Sequence, residues 1–404
     1  MNRLTKAILA VSLTVIIGSI GFIGGFATSR MLPGDTFSGI AAEVGPKQSV
    51  ASTRVEEVYK LMTARALVPP TEASSTAGAV QGLLGSMGDK YATYFDETHF
   101  KAFNETSMGS FGGIGVVLGE KNGNAYVTEV YKGTPAAHAG MLPGDQFLII
   151  EGVRRTNWQT SDVVKRVRGD VGTKVTVTML RPNKGGSHGG TEKKFTITRA
   201  NINYPNLKSE MIGTVGYMRL GQFNARSEVD LRKAIADLTK KGAKSLVLDV
   251  RSNPGGLLDE AVNVSSLFIK DGVIVRVDER NKPEEVLRAT GRTATSLPLV
   301  VLIDGDSASA SEIMGGALQD HDRATLVGET SYGKGSVQTV ANTSWGGGVK
   351  FTIAHYLTPN KRVIDGKGLT PDVVVKMDRL KQMERSTDTQ LQKALQIARQ
   401  KAGN

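Results

Sequence analysis

Asp304 to Gln338 reads DGDSASASEIMGGALQDHDRATLVGETSYGKGSVQ, and the architecture turns on it. Just before it, Leu297 to Ile303 (LPLVVLI) is an apolar run of the kind a buried strand shows. Within it, Ile313, Met314, Ala317 and Leu318 recur at helical spacing, so Ser309 falls at a strand-to-helix turn. Such a turn presents a hydroxyl beside unpaired helix N-terminal amides, which suits a serine that attacks a carbonyl and must stabilise developing negative charge. Further on, Lys334 is held between Gly333 and Gly335, and we read Ser309 and Lys334 as a nucleophile and its base.

A serine hydroxyl needs a base at neutral pH. Histidine is the common one, and the chain has five: His99, His138, His188, His321 and His355. His321 ends the helix that Ser309 begins, about 18 Å away at 1.5 Å per residue, too far for a hydrogen bond. A lysine serves only if burial lowers its pKa from about 10.4 to about 7 or 8, which asks about 3 to 5 kcal/mol of the fold. The residues alone leave open whether Lys334 reaches into a closed site or stands exposed in a glycine turn, and whether His355 is the base. Gln338 is placed to orient the amine. Glu312, in the first turn of the helix, reads as a cap and dipole partner.

Outward from this stretch, strands alternate with helices from about Tyr204. Val215 to Leu220 is a strand; Ser227 caps a helix carrying Leu231, Ala234, Ile235 and Leu238. Leu246 to Val250 is an apolar strand followed by Arg251-Ser252-Asn253-Pro254-Gly255-Gly256, a turn able to offer backbone amides to an oxyanion. This is an α/β core with its reactive groups at strand ends.

Between about Gly109 and Thr198 the pattern changes to short alternating strands. Phe111-Gly112-Gly113-Ile114-Gly115, the turn Gly133-Thr134-Pro135-Ala136 and Leu142-Pro143-Gly144-Asp145 follow in order, and this region resembles a PDZ domain. The resemblance implies a loop, Gly112 to Gly115, whose amides receive a peptide's terminal carboxylate while the peptide adds to a sheet edge. Gly185 to Gly189 (GGSHG) matches a nucleophile-elbow motif by letters, but it sits in a hairpin and reads as a turn.

Residues 7 to 27 carry no charge and follow Arg3 and Lys6, which predicts a transmembrane signal anchor with the rest of the chain outside, or a signal peptide cleaved near Gly25-Phe26-Ala27. Residues 31 to 50 read as a linker. Val55, Val58, Tyr59 and Met62 mark an amphipathic helix, and Ala77 to Met87 a second, suited to the core or to a second subunit as a homodimer. The net charge is +11, but Lys and Arg are scattered and aromatics are 6%, so nucleic acid is not an expected partner. Without cysteine, thiol catalysis and disulfides are excluded, and without a His-x-x-x-His pair no metal or other cofactor is expected. The tail Thr387 to Lys401 carries Leu391, Ala394, Leu395 and Ala398 in helical register and reads as a structural cap.

Taken together, the PDZ-like region, DVRSNPGG at 249–256, SASASE at 307–312, GKGSVQ at 333–338, GDKY at 88–91 and GLTPD at 368–372 resemble the C-terminal processing peptidases, or tail-specific proteases. The likeness covers about residues 55 to 375. It implies a serine endopeptidase with Ser309 as nucleophile, Lys334 and Gln338 as its partners, and oxyanion amides at Gly255 or Gly256 and at Ala310. It also implies that Arg168, in Arg168-Gly169-Asp170-Val171-Gly172-Thr173, couples peptide binding to assembly of the site. The expected organisation is 1–30 anchor, 31–106 linker and helices, 107–198 PDZ domain, 199–378 α/β peptidase core and 379–404 C-terminal helix. The expected substrates are polypeptides taken by their C-terminus. An inert PDZ scaffold is the competing expectation.

Overall fold

A computed structural model describes residues 28–31, 49–121, 123–183, 190–377 and 385–403 of the chain. The expected anchor and the GGSHG turn lie outside the described residues. Among the described residues no helix is long and apolar enough to cross a membrane. The described residues divide into two compact units, Gly109–Tyr204 and the rest of them.

The larger unit is built on a six-stranded sheet in the order Leu207–Ile212, Val215–Leu220, Ser245–Asp249, Leu299–Ile303, Ala324–Gly328, Val373–Val374, all parallel after the first antiparallel pair. Its two middle strands, SLVLD and LVVLI, are buried at every position, which is why they read as near-continuous apolar runs. Helices Ser227–Lys240, Leu258–Ser266 and Ala310–Asp320 pack with one face of this sheet in a single core, through Leu231, Ile235, Val264, Ile313 and Met314. Helix Thr389–Lys401 covers the other face with Leu391, Ala394, Leu395 and Ala398, so the expected cap is part of the core. Arg226, not Ser227, is the N-cap of its helix, and Ser227 is the first helical residue, its hydroxyl accepting from the Asn224 N–H.

A second sheet contains Ser336–Asn342, Gly348–Leu357, Val273–Glu279 and Glu285–Arg288, with Thr93–Phe95 paired to the Gly348 end and Thr28–Met31 alongside Val337–Val340. Its Val337, Ala354 and Tyr356 join the same core as the three helices. Of the N-terminal helices, Glu97–Met108 packs on this sheet, where Phe95, Phe100 and Phe103 cluster with Val340. Helices Val50–Arg65 and Glu72–Ser86, started by the caps Ser49 and Thr71, bury no residue.

The smaller unit carries its own core, Ile114, Val127, Phe147, Ile150, Trp158 and Val177 among its members. Its sheet runs Val116–Lys121, Asn124–Val130, Gln146–Ile150, Lys174–Pro182, Gly190–Thr198, with Val116–Lys121 on an edge. The unit extends to Tyr204 because Ala200–Asn203 pairs back onto Ser110–Gly113.

Candidate active site

Strands Ser245–Asp249 and Leu299–Ile303 are parallel neighbours, so the turns at their carboxyl ends emerge side by side. Asn253 joins them. Its carbonyl accepts from the Ala308 N–H (3.1 Å) and the Ser311 hydroxyl (3.0 Å), and its amide nitrogen donates to the Leu220 carbonyl. Ser309 then sits at the N-cap of Ala310–Asp320 with φ 59° and ψ −114°, a conformation unusual for a residue with a β-carbon. Gly255 is pressed against it: a β-carbon there would lie 2.7 Å from the Ala308 carbonyl oxygen and 2.8 Å from both the Ala310 nitrogen and the Ser309 β-carbon.

The oxyanion expectation is narrowed by the hydrogen bonds. The Gly255 N–H already donates to the Asn253 side-chain oxygen at 2.9 Å. Among the described residues nothing accepts from the Gly256 or Ala310 N–H. Gly256 is required at its position because φ is 150° and a β-carbon would overlap the Phe223 carbonyl.

Two groups bind the Ser309 turn to the Lys334 loop. Glu312 is fully buried; one carboxylate oxygen accepts from the Ser309 N–H (2.8 Å) and the Lys334 N–H (2.9 Å), the other from the Gly333 N–H (2.7 Å) and the Ser331 hydroxyl (2.5 Å). The two candidate residues therefore lie within two hydrogen-bond lengths of each other at the backbone. Burial pushes the Glu312 carboxyl up, and these four donors pull it back. On the other side the Tyr356 hydroxyl meets the carbonyl oxygens of both Ser309 (3.2 Å) and Lys334. The cap reading of Glu312 holds at the Ser309 N–H, but its reach to residues 331–334 lies beyond any local pattern.

Lys334 is 3% exposed, which decides between a closed site and an exposed turn. The flanking glycines are explained by the segment 365–368, which passes within 2.9 Å of a β-carbon placed on Gly333 and 2.5 Å of one placed on Gly335. The Lys334 Nζ lies 4.1 Å from the centre of the Tyr91 ring. Burial first, and then the nearby Lys350 cation, lower its pKa to about 7, against the opposing pull of Asp89 and Glu312. Such an amine can accept a hydroxyl proton near neutrality.

Gln338 is fully buried on the adjoining strand, but it does not hydrogen-bond the lysine. Its nitrogen donates to the Ser336 (2.8 Å) and Thr352 (3.0 Å) hydroxyls, leaving Oε1 buried without a partner among the described residues. His355 is exposed, and strand alternation puts it on the face opposite Tyr356, away from Ser309. His321 bonds the Val273 carbonyl, and no described histidine pairs with Ser309.

In the smaller unit, Ile114 is buried, and Gly115 (φ 88°) is held where a β-carbon would strike the Thr134 side chain. Gly112 lies directly on Gly169, whose carbonyl oxygen would be 2.0 Å from its β-carbon, and Gly113 pairs with Ala200. Arg168, next to Gly169, donates to the Tyr204 hydroxyl (3.0 Å) and lies 4.2 Å over the Phe111 ring.

Residues 214–375 match Peptidase family S41, and residues 126–181 match the PDZ domain. The carboxy-terminal-processing protease of Bartonella bacilliformis is 37% identical over 80% of this chain and 74% of its own length. The carboxy-terminal processing protease CtpA of Bacillus subtilis is 37% identical over 73% of this chain; the match spans 63% of that protein, so its length is only partly represented here. A solved structure, the photosystem II D1 C-terminal processing protease, aligns at 28% identity with a TM-score of 0.45, covering 80% of this chain and 86% of that one. With a PDZ domain followed by a peptidase domain and two such relatives, the chain belongs to the carboxy-terminal processing proteases of peptidase family S41 and is a serine peptidase.

Proposed function

We propose that the enzyme takes polypeptides by their free C-terminus and cleaves them with a Ser309–Lys334 dyad. The observation that carries this reading is the pair of bridges, Glu312 and Tyr356, that hold Ser309 and a buried Lys334 as one unit. The Ser309 proton passes to the Lys334 amine as Oγ bonds the scissile carbonyl carbon, and the oxyanion is met by the Ala310 and Gly256 N–H groups. The carbon–nitrogen bond then breaks, the leaving amine takes the proton back from Lys334, and a water deprotonated by Lys334 releases the acyl group. Gln338 lines the site and offers Oε1 to an amine or a substrate N–H.

The tail binds at the edge strand Val116–Lys121, its carboxylate on the amides of Gly112, Gly113, Ile114 and Gly115. Arg168 is the reporter of occupancy, since its neighbour Gly169 lies against Gly112. Residues 7–27 hold the enzyme at the cytoplasmic membrane with its catalytic part outside, a reading supported by the uncharged run after Arg3 and Lys6. Helix Val50–Arg65, with Val55, Val58, Leu61 and Met62 exposed, is the surface for a homodimer.

The test uses the chain from about residue 31 with an unfolded polypeptide ending in apolar residues, free or amidated at its C-terminus. Cleavage is expected only with the free carboxylate and only when Ser309 and Lys334 are intact. If Ser309→Ala cleaves as the parent does, the dyad reading is wrong; if the parent binds the tail and cleaves nothing, the scaffold reading replaces it.

A further inference from the structure

A second buried lysine lies beside the first. Lys350 is 5% exposed, on the strand Gly348–Leu357. An extra residue, Ile353, interrupts the alternation of this strand, so Lys350 shares its face with Thr352 and, on the neighbouring strand, with their partners Val340 and Gln338, and not with Tyr356. On that face the Thr352 hydroxyl accepts from the Gln338 side-chain nitrogen at 3.0 Å. Asp89 is fixed to the same strand, one carboxylate oxygen accepting from the Thr352 N–H at 2.7 Å and the other from the Tyr91 N–H at 2.9 Å. Tyr91 in turn supplies the ring under the Lys334 Nζ.

The charged groups facing Lys334 are Lys350 from this strand, Asp89 and Lys90 from the turn after Glu72–Ser86, and Glu312 from the nucleophile helix. Asp365, from the segment pressed on Gly335, is held by the Gly335 N–H at 3.0 Å. Glu312 also holds the Ser309 turn through its four donors, whereas Lys350 and Asp89 are charges of opposite sign on the adjoining strand and turn.

We propose that Lys350 and Asp89 are positioning residues of opposite sign that together decide whether the Lys334 amine is free to take the Ser309 proton. Neither touches substrate. A like charge close to an ammonium favours loss of its proton, and a carboxylate favours its retention. Burial lowers the pKa of Lys350 as well, to about 8, and Asp89 opposes that shift. Residues 88–91, far from Ser309 in sequence, thus acquire a part in the chemistry. The inference rests on the reading of Lys334 as the base.

The experiment is the pH profile of kcat/KM for the parent, Lys350→Met, Lys350→Arg and Asp89→Asn, with a melting curve for each. Activity needs the neutral Lys334, so it falls on the acid side. Lys350→Met removes a repelling cation, and its acid limb is expected to move up by about one pH unit with KM little changed. Lys350→Arg keeps the charge and is expected to restore the parent limb. Asp89→Asn is expected to move the limb down. A folded Lys350→Met enzyme whose limb stays in place, with only kcat lowered, overturns the proposal. If that variant does not fold, Asp89→Asn decides, and a limb that stays or moves up overturns it. Lys334→Ala is run alongside: full activity there would sink the base reading whatever the limbs do, whereas an inactive Lys334→Ala with unmoved limbs sinks the tuning alone.

Discussion

Taking a carboxylate out of water costs several kcal/mol unless other donors replace the water. Around Glu312 four protein donors do so, and because they come from residues 309, 331, 333 and 334, satisfying one side chain fixes the spacing of the proposed catalytic pair. Gly255 contributes by being absent of side chain. A methyl group at φ 98°, with three atoms of the Ser309 turn within 2.8 Å, has to push that turn aside. Gly255→Ala is expected to fold, to lose about 1 to 3 kcal/mol of stability through strain, and to cut kcat by about tenfold or more with little change in KM. Steady-state kinetics together with urea denaturation check this. Unchanged kcat would show that the turn has slack.

At the scale of elements, the helix Thr389–Lys401 is fastened by an ionic cluster as well as by its apolar face. Arg251, 3% exposed, forks between Asp249 (2.7 and 2.9 Å) and Asp388 (2.8 and 3.0 Å), the residue that caps the helix, and it also reaches Gln390. The turn carrying the proposed oxyanion amide of Gly256 is thereby tied to the far face of the sheet. Arg251→Met leaves two buried carboxylates without their cation and is expected to cost about 3 to 5 kcal/mol, with faster amide exchange concentrated at 389–401. Arg251→Lys should recover only part, since a lysine cannot form both bidentate pairs. Amide exchange spread evenly over the chain would contradict a local fastening. The strand Gly348–Leu357 carries a different lesson. Its most apolar alternate residues are Val349, Phe351 and Ile353, which the pattern alone would turn inward, yet these are only half-buried. The buried set is Gly348, Lys350, Ala354 and Tyr356, and the extra residue Ile353 divides it between two faces, Lys350 beside Val340 and the pair Ala354 and Tyr356 in the core beneath the three helices.

At the scale of the molecule, what was legible in the sequence was whatever is local. The strand Leu299–Ile303, the turn at Ser309, the helix after it and the glycines framing Lys334 all follow from neighbours in the chain. So does the separate pattern of about 107–198, whereas its extension to Tyr204 depends on Ala200–Asn203 pairing back onto Ser110–Gly113. Asp89, Tyr91, Lys350 and Tyr356 were not legible as parts of the site, since they meet Lys334 through pairings between distant segments. The choice between Gly255 and Gly256 was open for the same reason: only the folded turn shows that the Asn253 side chain takes up the first amide. Ser309 itself has a consequence for the whole. It is held at φ 59° and ψ −114°, where a β-carbon is strained and a glycine is not. Ser309→Gly should therefore be inert yet more resistant to urea than Ser309→Ala, by about 1 kcal/mol once the looser unfolded chain is allowed for. Equal midpoints would mean that the surrounding turn has absorbed the strain. Under the proposed mechanism durability and turnover compete for this one position, since the residue that strains the turn is also the proposed nucleophile.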